Sequence, residues 1–388
     1  MPTAKIEISK NILEWVLRTS EGSLNEKWTD NVKQWINGDK NPTVNQISQL
    51  SKASKIPFGY LFLQEPPKVE LPLLNFRTVN NDSIEEPSKE LLDTVYEMQS
   101  KVSWLSDYRK DQGMNKISFI GMNNEYKQLD GSEKAERILN YFDLDSDWNF
   151  KKGKPFNVLR ERVTNYGITV SVNGVVRNTR RHLNQNEFRA FVIIDDFAPL
   201  IFINSRDSFN ARLFSLVHEL VHIWYGQPEL YNFNFQSNPQ YNDSVSEQEI
   251  NLITENIILP QSSFFKYLNK FDKDDFDKIK RISRNFGVSS LVVAIRAKHL
   301  NLISQNVVDH IKKESEKKYD ELRKKNKANE SGPNFYDNLA YKTDVNFARD
   351  VIRSAKSGET SYTDAFDLLN VKGTAGLKKL SEKIGEGM

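Results

Sequence analysis

The segment "FSLVHELVHIWYG", residues 214–226, places two histidines four positions apart, with a glutamate directly after the first. An α-helix advances about 100° per residue, so His218 and His222 project from one face of a helix, one turn apart. The pattern has two interpretations. Either the two imidazoles hold a metal ion, or they are ordinary histidines on a buried helix.

The metal interpretation is favoured by the chemistry of the three residues. Two imidazoles at this spacing can bind one Zn²⁺. Glu219, on the same turn, can accept a proton from water and act as a general base. The chain has 5 histidines, and a chance match to H-E-x-x-H is expected on the order of once in a few hundred such chains. A catalytic zinc site is therefore the stronger hypothesis.

A catalytic zinc also needs a third protein ligand. The remaining histidines stand alone in the sequence: His182, His299 and His310. A carboxylate on another helix is therefore favoured, and "SEQEIN" offers Glu247 and Glu249. We favour Glu247, because Asn251 follows one turn later and can hydrogen-bond the outer nitrogen of a ligand histidine. Glu249 is expected to face solvent, although a solvated Glu247 at the start of its helix is the alternative.

The residues before the histidine segment read as β-structure. "ITVSV", a turn at Asn173–Gly174 and "VVR" predict a hairpin. "FRAFVIIDD" and "PLIFIN" are two further β-rich runs. Asp207 or Ser208 can cap the following helix, and Gly226 can end it. These signals predict an α+β fold, in which a small mixed or antiparallel sheet packs on the histidine helix.

The rest of the chain reads as mostly helical. "FNVLRERVTNYG" predicts a helix closed by Gly167, and "SEKAERILNYF" one that starts at Ser132. "EPPKVELP" at 65–72 reads as a linker, and 227–243 as a loop. The predicted domains are a helical module at 1–65, a linker and helical region at 66–154, a catalytic domain at 155–305, and a charged linker with a C-terminal accessory segment at 306–388.

Composition limits the classes of protein that this chain can belong to. The chain has 388 residues, a net charge of +2 and no cysteine. It therefore has no disulfide, thiolate metal site or Cys nucleophile, and its bulk charge favours neither nucleic acid nor a membrane surface. We recognise no signal peptide and no membrane-spanning stretch. The expected location is the cytoplasm.

The sequence resembles the ImmA/IrrE family of metallopeptidases over about residues 155–305. An ordered series of blocks carries the resemblance: "GITVSVNGVV", "NEFRAFVIIDDFAPLIFIN", "ARLFSLVHELVHIWYG", "EQEINLITENIILP" and "FGVSSLVVAIRAKHLNLIS". The resemblance implies a gluzincin-like site with one zinc per chain, held by His218, His222 and Glu247, with Glu219 as general base. The sequence departs from the family pattern at Ile250 and at 253–256, behind the ligand-type residues.

The N-terminal stretch "VKQWINGDKNPTVNQISQLSKASKIPFGYLFLQEPP" resembles an Xre-type helix-turn-helix module. If this module binds DNA, Asn31, Lys33 and Gln34 are the candidate contact residues. The local charge is small, however, so a protein-interaction or packing role is the alternative.

The first functional hypothesis is a zinc-dependent endopeptidase. The family resemblance implies a specific cytosolic regulator as substrate, such as a repressor or an antitoxin-like protein. Arg296 and Tyr225 are candidate donors to the oxyanion. An extended peptide could add to an edge strand at "PLIFIN".

The second hypothesis is a transcriptional regulator or antitoxin-like binding protein without proteolytic activity. In that case the peptidase fold serves as a scaffold, and a toxin is a possible partner. The altered run "ITENIILP" and the long C-terminal segment motivate this alternative.

Overall fold

The computed structural model divides into two compact units, residues 1–72 and residues 73–388. It describes residues 6, 8–20, 24–54, 56, 58–65, 87–151, 153–177, 180–226, 247–268, 275–326 and 335–386. The linker predicted at 65–72 lies, apart from Glu65, outside the described residues, and so does the loop predicted at 227–243. Across the described residues, no helix has both the length and the apolar character that a bilayer span requires.

The first unit is a small helical module. Its elements are α1 (Lys10–Thr19), α2 (Glu26–Ile36), α3 (Val44–Ser54) and a 3₁₀ turn (Phe58–Phe62). Asn25 caps α2 by accepting a hydrogen bond from the backbone N–H of Trp28. Val32 and Trp35 turn inward from α2 and pack with Leu50 of α3. Apolar residues at helical spacing therefore build one core from three short helices.

The three residues predicted to contact DNA all lie on α2. Lys33 is exposed, whereas Asn31 and Gln34 are half-buried. Their placement does not test DNA binding, which stays a prediction, as does the Xre-type resemblance of this module.

The second unit combines thirteen described α-helices with three strands. The helices before the sheet are α4 (Lys89–Asp111), α5 (Gly131–Tyr141) and α6 (Pro155–Asn165). The strands are β1 (Thr169–Asn173), β2 (Ala190–Ile193) and β3 (Leu200–Asn204). The helices after the sheet are α7 (Phe209–Tyr225), α8 (Glu247–Ile258), α9 (Gln261–Leu268), α10 (Asp275–Phe286), α11 (Ser290–His299), α12 (Gln305–Asn326), α13 (Phe335–Lys342), α14 (Val345–Ser357), α15 (Tyr362–Leu369) and α16 (Gly373–Lys383). The predicted α+β class is confirmed.

The sheet is mixed, with strand order β1-β3-β2. β1 pairs with β3 in parallel, and β2 pairs with β3 antiparallel. The predicted hairpin after β1 is wrong, since Val175 forms only an isolated bridge with His182. The side chain of Asn173 accepts hydrogen bonds from the N–H groups of Gly174 and Val175. Because these two N–H groups bind the side chain of Asn173, they do not pair with a second strand, and the chain leaves the sheet.

The central position of β3 also corrects the proposed peptide-binding edge. β3 is the "PLIFIN" strand, and it has neighbours on both sides. Its main-chain donors and acceptors are therefore engaged by β1 and β2. An added peptide strand cannot pair there without displacing one of them.

Side chains on the sheet alternate between two cores. Val170, Ala190 and Ile201 belong to the core that contains α7. Phe191 and Phe202 belong to a second core, which α4 covers with Leu91, Val95, Met98 and Val102. Because successive strand residues point to opposite faces, the two helices pack on opposite faces of the sheet. The histidine helix therefore has a fixed apolar support on one side.

Side-chain caps define the start of two helices near the site. Ser208, one of the two predicted caps, accepts a hydrogen bond from the N–H of Ala211 at the start of α7. The start of α5, predicted at Ser132, is instead capped by Asp130. Asp130 and Glu133 form a reciprocal capping box, which satisfies two backbone N–H groups that a cap at Ser132 would leave unpaired.

The C-terminal helices are anchored to the outer edge of β1. The carboxylate of Asp344 accepts hydrogen bonds from the N–H of Val170 (3.1 Å) and the hydroxyl of Thr164 (2.8 Å). Arg160 donates to the carbonyl oxygens of Val170 (2.8 Å) and Thr343 (3.3 Å). The segment at residues 341–344 therefore covers a strand edge that would otherwise be open to pairing.

A buried ion pair makes a second connection to the C-terminal segment. Nζ of Lys101 lies 2.9 Å from Glu97, and both side chains are 8% exposed. The amide of Asn370 donates to the same carboxylate at 2.7 Å. Burial by itself raises the pKa of Glu97, but the charge of Lys101 and the hydrogen bonds from Lys101 and Asn370 outweigh it and lower the pKa below its usual value.

We expect this pair to make stability depend on pH. A lowered folded-state pKa contributes stability above the unfolded-state pKa of Glu97, and that stability is lost as the pH falls through the folded value. In Glu97→Gln/Lys101→Met, which leaves no unpaired charge, urea unfolding midpoints should fall less steeply than in wild type between about pH 6 and about pH 3. Asp107→Asn, an exposed carboxylate of α4, is the control, and equal slopes in wild type and the double variant would contradict the expectation.

Candidate metal centre

The two predicted histidines lie side by side on α7. Nε2 of His222 is 3.1 Å from Nε2 of His218, and the ring centroids are 4.8 Å apart. The two residues are 1% and 2% exposed. The apolar faces of α7 fix their position, because α7 packs on the sheet and on α8.

Glu247, the first residue of α8, brings its carboxylate to the same point. One of its oxygens lies 3.4 Å from Nε2 of His218, and the other lies 3.5 Å from Nε2 of His222. One atom from each of the three residues lies within 4.8 Å of the others, so together they form a group that could hold a metal ion. The structure thus brings together the three residues that the sequence predicted as ligands.

The spacing of these atoms fits zinc. Zinc bonds to histidine nitrogen and carboxylate oxygen are about 2.0–2.2 Å long, and tetrahedral geometry then separates two ligands by about 3.3 Å. The separations of 3.1, 3.4 and 3.5 Å, of which the last two involve different oxygens of Glu247, lie close to that value. Two nitrogens and one oxygen are also the donor set of many catalytic zinc sites, which leave a fourth position for substrate or water.

Two further predicted residues lie beside this group. Glu219 follows His218 on α7 and is 1% exposed. Asn251 lies one turn after Glu247 on α8, and its buried side-chain oxygen accepts no hydrogen bond from the described residues. The predicted hydrogen bond from a ligand imidazole to this oxygen is not formed, so the role of Asn251 stays a prediction.

Glu249 does not project freely into solvent, which corrects the expectation from sequence. One of its oxygens lies 2.6 Å from Nζ of Lys134 and accepts a hydrogen bond from the hydroxyl of Tyr225 at 2.8 Å. Burial by itself raises the pKa of Glu249, but these two hydrogen bonds lower it below its usual value. Burial and the contact with Glu249 together raise the pKa of Tyr225. Both residues therefore belong to a polar contact between α5, α7 and α8.

The structure gives the two candidate oxyanion donors other partners. The hydroxyl of Tyr225 is bound to Glu249. Arg296, on α11, is 3% exposed and donates to the side-chain oxygen of Asn256. Burial lowers the pKa of Arg296. Each of these two side chains is therefore bound to a residue of α8: Tyr225 to Glu249 and Arg296 to Asn256.

A cleft of about 750 Å³ lies between α7, α8 and α11. Phe214 lines it from α7, and the Phe214 ring stacks against the ring of His218 with centroids 6.2 Å apart. Leu291, Val292 and Ile295 provide an apolar wall from α11. The cleft therefore lies next to the residue that stacks on His218, although His218, His222 and Glu247 do not line it.

Sequence reasoning missed a carboxylate–imidazole pair in this cleft. The carboxylate of Glu255 lies 2.8 Å from Nδ1 of His299, and both residues line the cleft. Burial raises the pKa of Glu255 despite this contact. A helical count from Glu247 places Glu255 eight positions later, about 80° around the helix, and so on the same broad side of α8. The position of His299 on α11 required the tertiary structure.

The remaining histidines lie away from the group of predicted ligands. Nδ1 of His182 is 3.4 Å from the guanidinium of Arg206. The ring of His310 packs edge-on against Phe276, with centroids 4.8 Å apart. Neither of them supplies a ligand atom to the group formed by His218, His222 and Glu247.

A glycine ends the histidine helix where it meets another segment. Gly226 has φ +66°, a left-handed conformation that glycine adopts readily. A Cβ atom at this position would lie 2.5 Å from the Cα of Gly121. The N–H of Gly121 also donates to the carbonyl of Ile223 at 3.2 Å. This close approach fixes the C-terminal turn of α7, next to His222.

A histidine helix packed on a small mixed sheet, with a glutamate supplied by the next helix, is the arrangement of a metallopeptidase-like domain. Residues 167–298 match the family model of the IrrE N-terminal-like domain, which is peptidase family M78. This part of the chain is therefore similar to the IrrE N-terminal-like domain, which supports the resemblance to the ImmA/IrrE family. Residues 343–383 match a domain of unknown function (DUF8813). Neither a curated protein nor a solved structure matches the chain significantly.

We expect Gly226→Ala to destabilise the second unit more than Gly358→Ala does. Both glycines end a helix with positive φ, but a Cβ at Gly358 would meet no atom within 4 Å. The left-handed conformation costs alanine about 1–2 kcal/mol at either position, and the contact with Gly121 adds about 1–3 kcal/mol at Gly226. Thermal unfolding of the two variants measures the difference, and equal losses would show that the close approach contributes nothing.

Proposed function

We propose that this protein is a zinc-dependent endopeptidase. The convergence of donor atoms from the two buried histidines, His218 and His222, and from the partly buried Glu247 carries the proposal. The match of residues 167–298 to a peptidase family supports it independently. The fit of the donor spacing to zinc supports the choice of metal, with one zinc per chain.

In this proposal each residue of the site has a defined role. His218, His222 and Glu247 would hold the zinc, which supplies Lewis acidity that polarises a carbonyl group and acidifies water. Glu219 takes a proton from the attacking water on its carboxylate oxygen as the new carbon–oxygen bond forms. The same carboxyl then gives this proton to the leaving amine nitrogen as the peptide C–N bond breaks. The buried position of Glu219 beside His218 suits this transfer.

The substrate would lie in the cleft between α7, α8 and α11. The cleft begins beside His218, at Phe214, and passes Asn251 on the helix that carries Glu247. Its volume of about 750 Å³ lies within the range of small-ligand pockets and can hold a short stretch of polypeptide. This placement replaces the pairing with β3 that the sequence suggested.

The proposed substrate is a specific cytosolic regulator, such as a repressor or an antitoxin-like protein. The ImmA/IrrE resemblance of residues 167–298 supports this class of substrate. A toxin partner and DNA binding through the N-terminal module are further proposals of the same kind. A cytoplasmic location accords with all of them.

The experiment that tests the proposed function separates metal binding from chemistry. We expect about one zinc per chain in wild type and in Glu219→Gln, and a loss of zinc in His218→Ala, as measured by elemental analysis. Mass spectrometry of the neighbouring gene's product should show cleavage by wild type. Because it loses the general base, Glu219→Gln should be slower by about 10²–10⁴-fold.

Two outcomes would contradict this assignment. Cleavage retained by Glu219→Gln would remove Glu219 as the base. If instead no cleavage occurs, and His218→Ala leaves binding to a partner and the biological effect unchanged, the domain acts as a scaffold without proteolytic activity.

A further expectation concerns Asn251. If its side-chain oxygen orients a ligand imidazole, Asn251→Ala should weaken zinc binding by about 10–100-fold. Chelator competition measures the zinc dissociation constant. Asn140→Ala, which removes the same type of side chain from an exposed position of α5, is the matched control. Equal constants in the two variants would exclude Asn251 from this role.

A further inference from the structure

Glu247 lies in the first described turn of α8. Its carboxylate reaches both imidazoles of α7. Glu249, two positions later in the same turn, contacts residues of two other helices. The contacts of Glu249 therefore bear on the direction of Glu247.

Glu249 closes a triangle of polar contacts with two residues from other helices. Its carboxylate oxygen lies 2.6 Å from Nζ of Lys134 and 2.8 Å from the hydroxyl of Tyr225. Nζ of Lys134 also donates to the Tyr225 hydroxyl at 3.3 Å. Glu247 and Glu249 are two positions apart, so their side chains leave the helix about 200° apart. The triangle therefore holds the side of α8 that is opposite Glu247.

The two partners of Glu249 lie on helices with fixed positions. Lys134 is in the first turn of α5, whose start is closed by the Asp130–Glu133 capping box. Tyr225 lies three positions after His222, in the last turn of α7. Glu249 is thus tied to the same helix that carries the two histidines.

Because Lys134 is buried, its ammonium group depends on the contact with the carboxylate of Glu249. Its side chain is 5% exposed, whereas that of Glu249 is 37% exposed. A buried ammonium group is costly unless a carboxylate pairs with it. Close packing of α5 on α8 reinforces the position, since a Cβ at Gly131 would lie 3.1 Å from the side chain of Leu252.

We propose that Lys134 and Tyr225 are positioning residues, which clamp Glu249 and thereby hold the first turn of α8 with Glu247 directed at the two imidazoles. This inference rests on the proposed zinc site. It assigns to Lys134, Tyr225 and Glu249 an effect on metal affinity that they exert without touching the metal.

The test measures zinc affinity rather than peptidase activity. Chelator competition on the full chain gives the zinc dissociation constant, and the absorption spectrum of the Co²⁺-loaded protein reports the ligand geometry. Lys134→Met should weaken zinc binding on the order of tenfold and change the Co²⁺ spectrum. Lys116→Met is the matched control, because Lys116 makes an equally short 2.6 Å contact with Asp196 but is 68% exposed.

The double variant Lys134→Met/Glu249→Gln tests whether the residues act as a unit. If the clamp exists, the double variant should bind zinc no more weakly than the single variant with the larger zinc dissociation constant, because the second substitution removes nothing further. Additive losses would overturn the clamp. So would an unchanged zinc constant in Lys134→Met with a lowered melting temperature, because it would reduce the triangle to a contribution to stability.

If Lys134→Met fails to fold, Tyr225→Phe decides the question, since it removes one hydroxyl and leaves the ion pair. It should weaken zinc binding several-fold, and an unchanged constant would overturn the proposal. If wild type itself binds no zinc, the proposed function fails first. If instead wild type and Lys134→Met bind zinc equally well, the proposed zinc site stands and only the clamp fails.

Discussion

The candidate metal centre depends on packing that brings two buried imidazole nitrogens and one partly buried carboxylate to within 3.5 Å of each other. Buried polar groups are costly unless they find partners, so such a cluster persists only where the surrounding packing fixes it. The support comes from several sides. The sheet and α8 pack against α7, and the Gly121–Gly226 approach fixes the end of α7. Lys134 and Tyr225 hold the turn from which Glu247 projects.

Other parts of the second unit stabilise the sheet on which the histidine helix packs. α4 covers the face of the sheet that α7 leaves open, so the sheet is buried on both faces. Asp344 and Arg160 connect the C-terminal helices to the outer edge of β1, and Asn370 connects them to Glu97 of α4. The segment that matches a domain of unknown function is therefore packed into the same unit as the peptidase-like domain.

Sequence reasoning succeeded for features that depend on near neighbours. The spacing of His218 and His222 predicted one helix face with two imidazoles, and the predicted Glu247 lies with them, although the hydrogen bond to Asn251 that motivated this choice is not formed. It failed where a competing local interaction or a distant partner decided the outcome. Asn173 formed a side-chain turn in place of a hairpin, and Glu249 found Lys134, 115 positions earlier in the chain.

The sequence by itself determined the α+β class, the histidine helix with its serine cap and terminal glycine, and the residue types of the candidate metal centre. These follow from helical periodicity and from hydrogen bonds between residues a few positions apart. Only the tertiary structure decided that β1 pairs with β3 in parallel, that β3 lies in the centre of the sheet, and that Tyr225 and Arg296 bind residues of α8. Such pairings depend on which apolar faces meet and which buried charges need partners, and no local pattern encodes either.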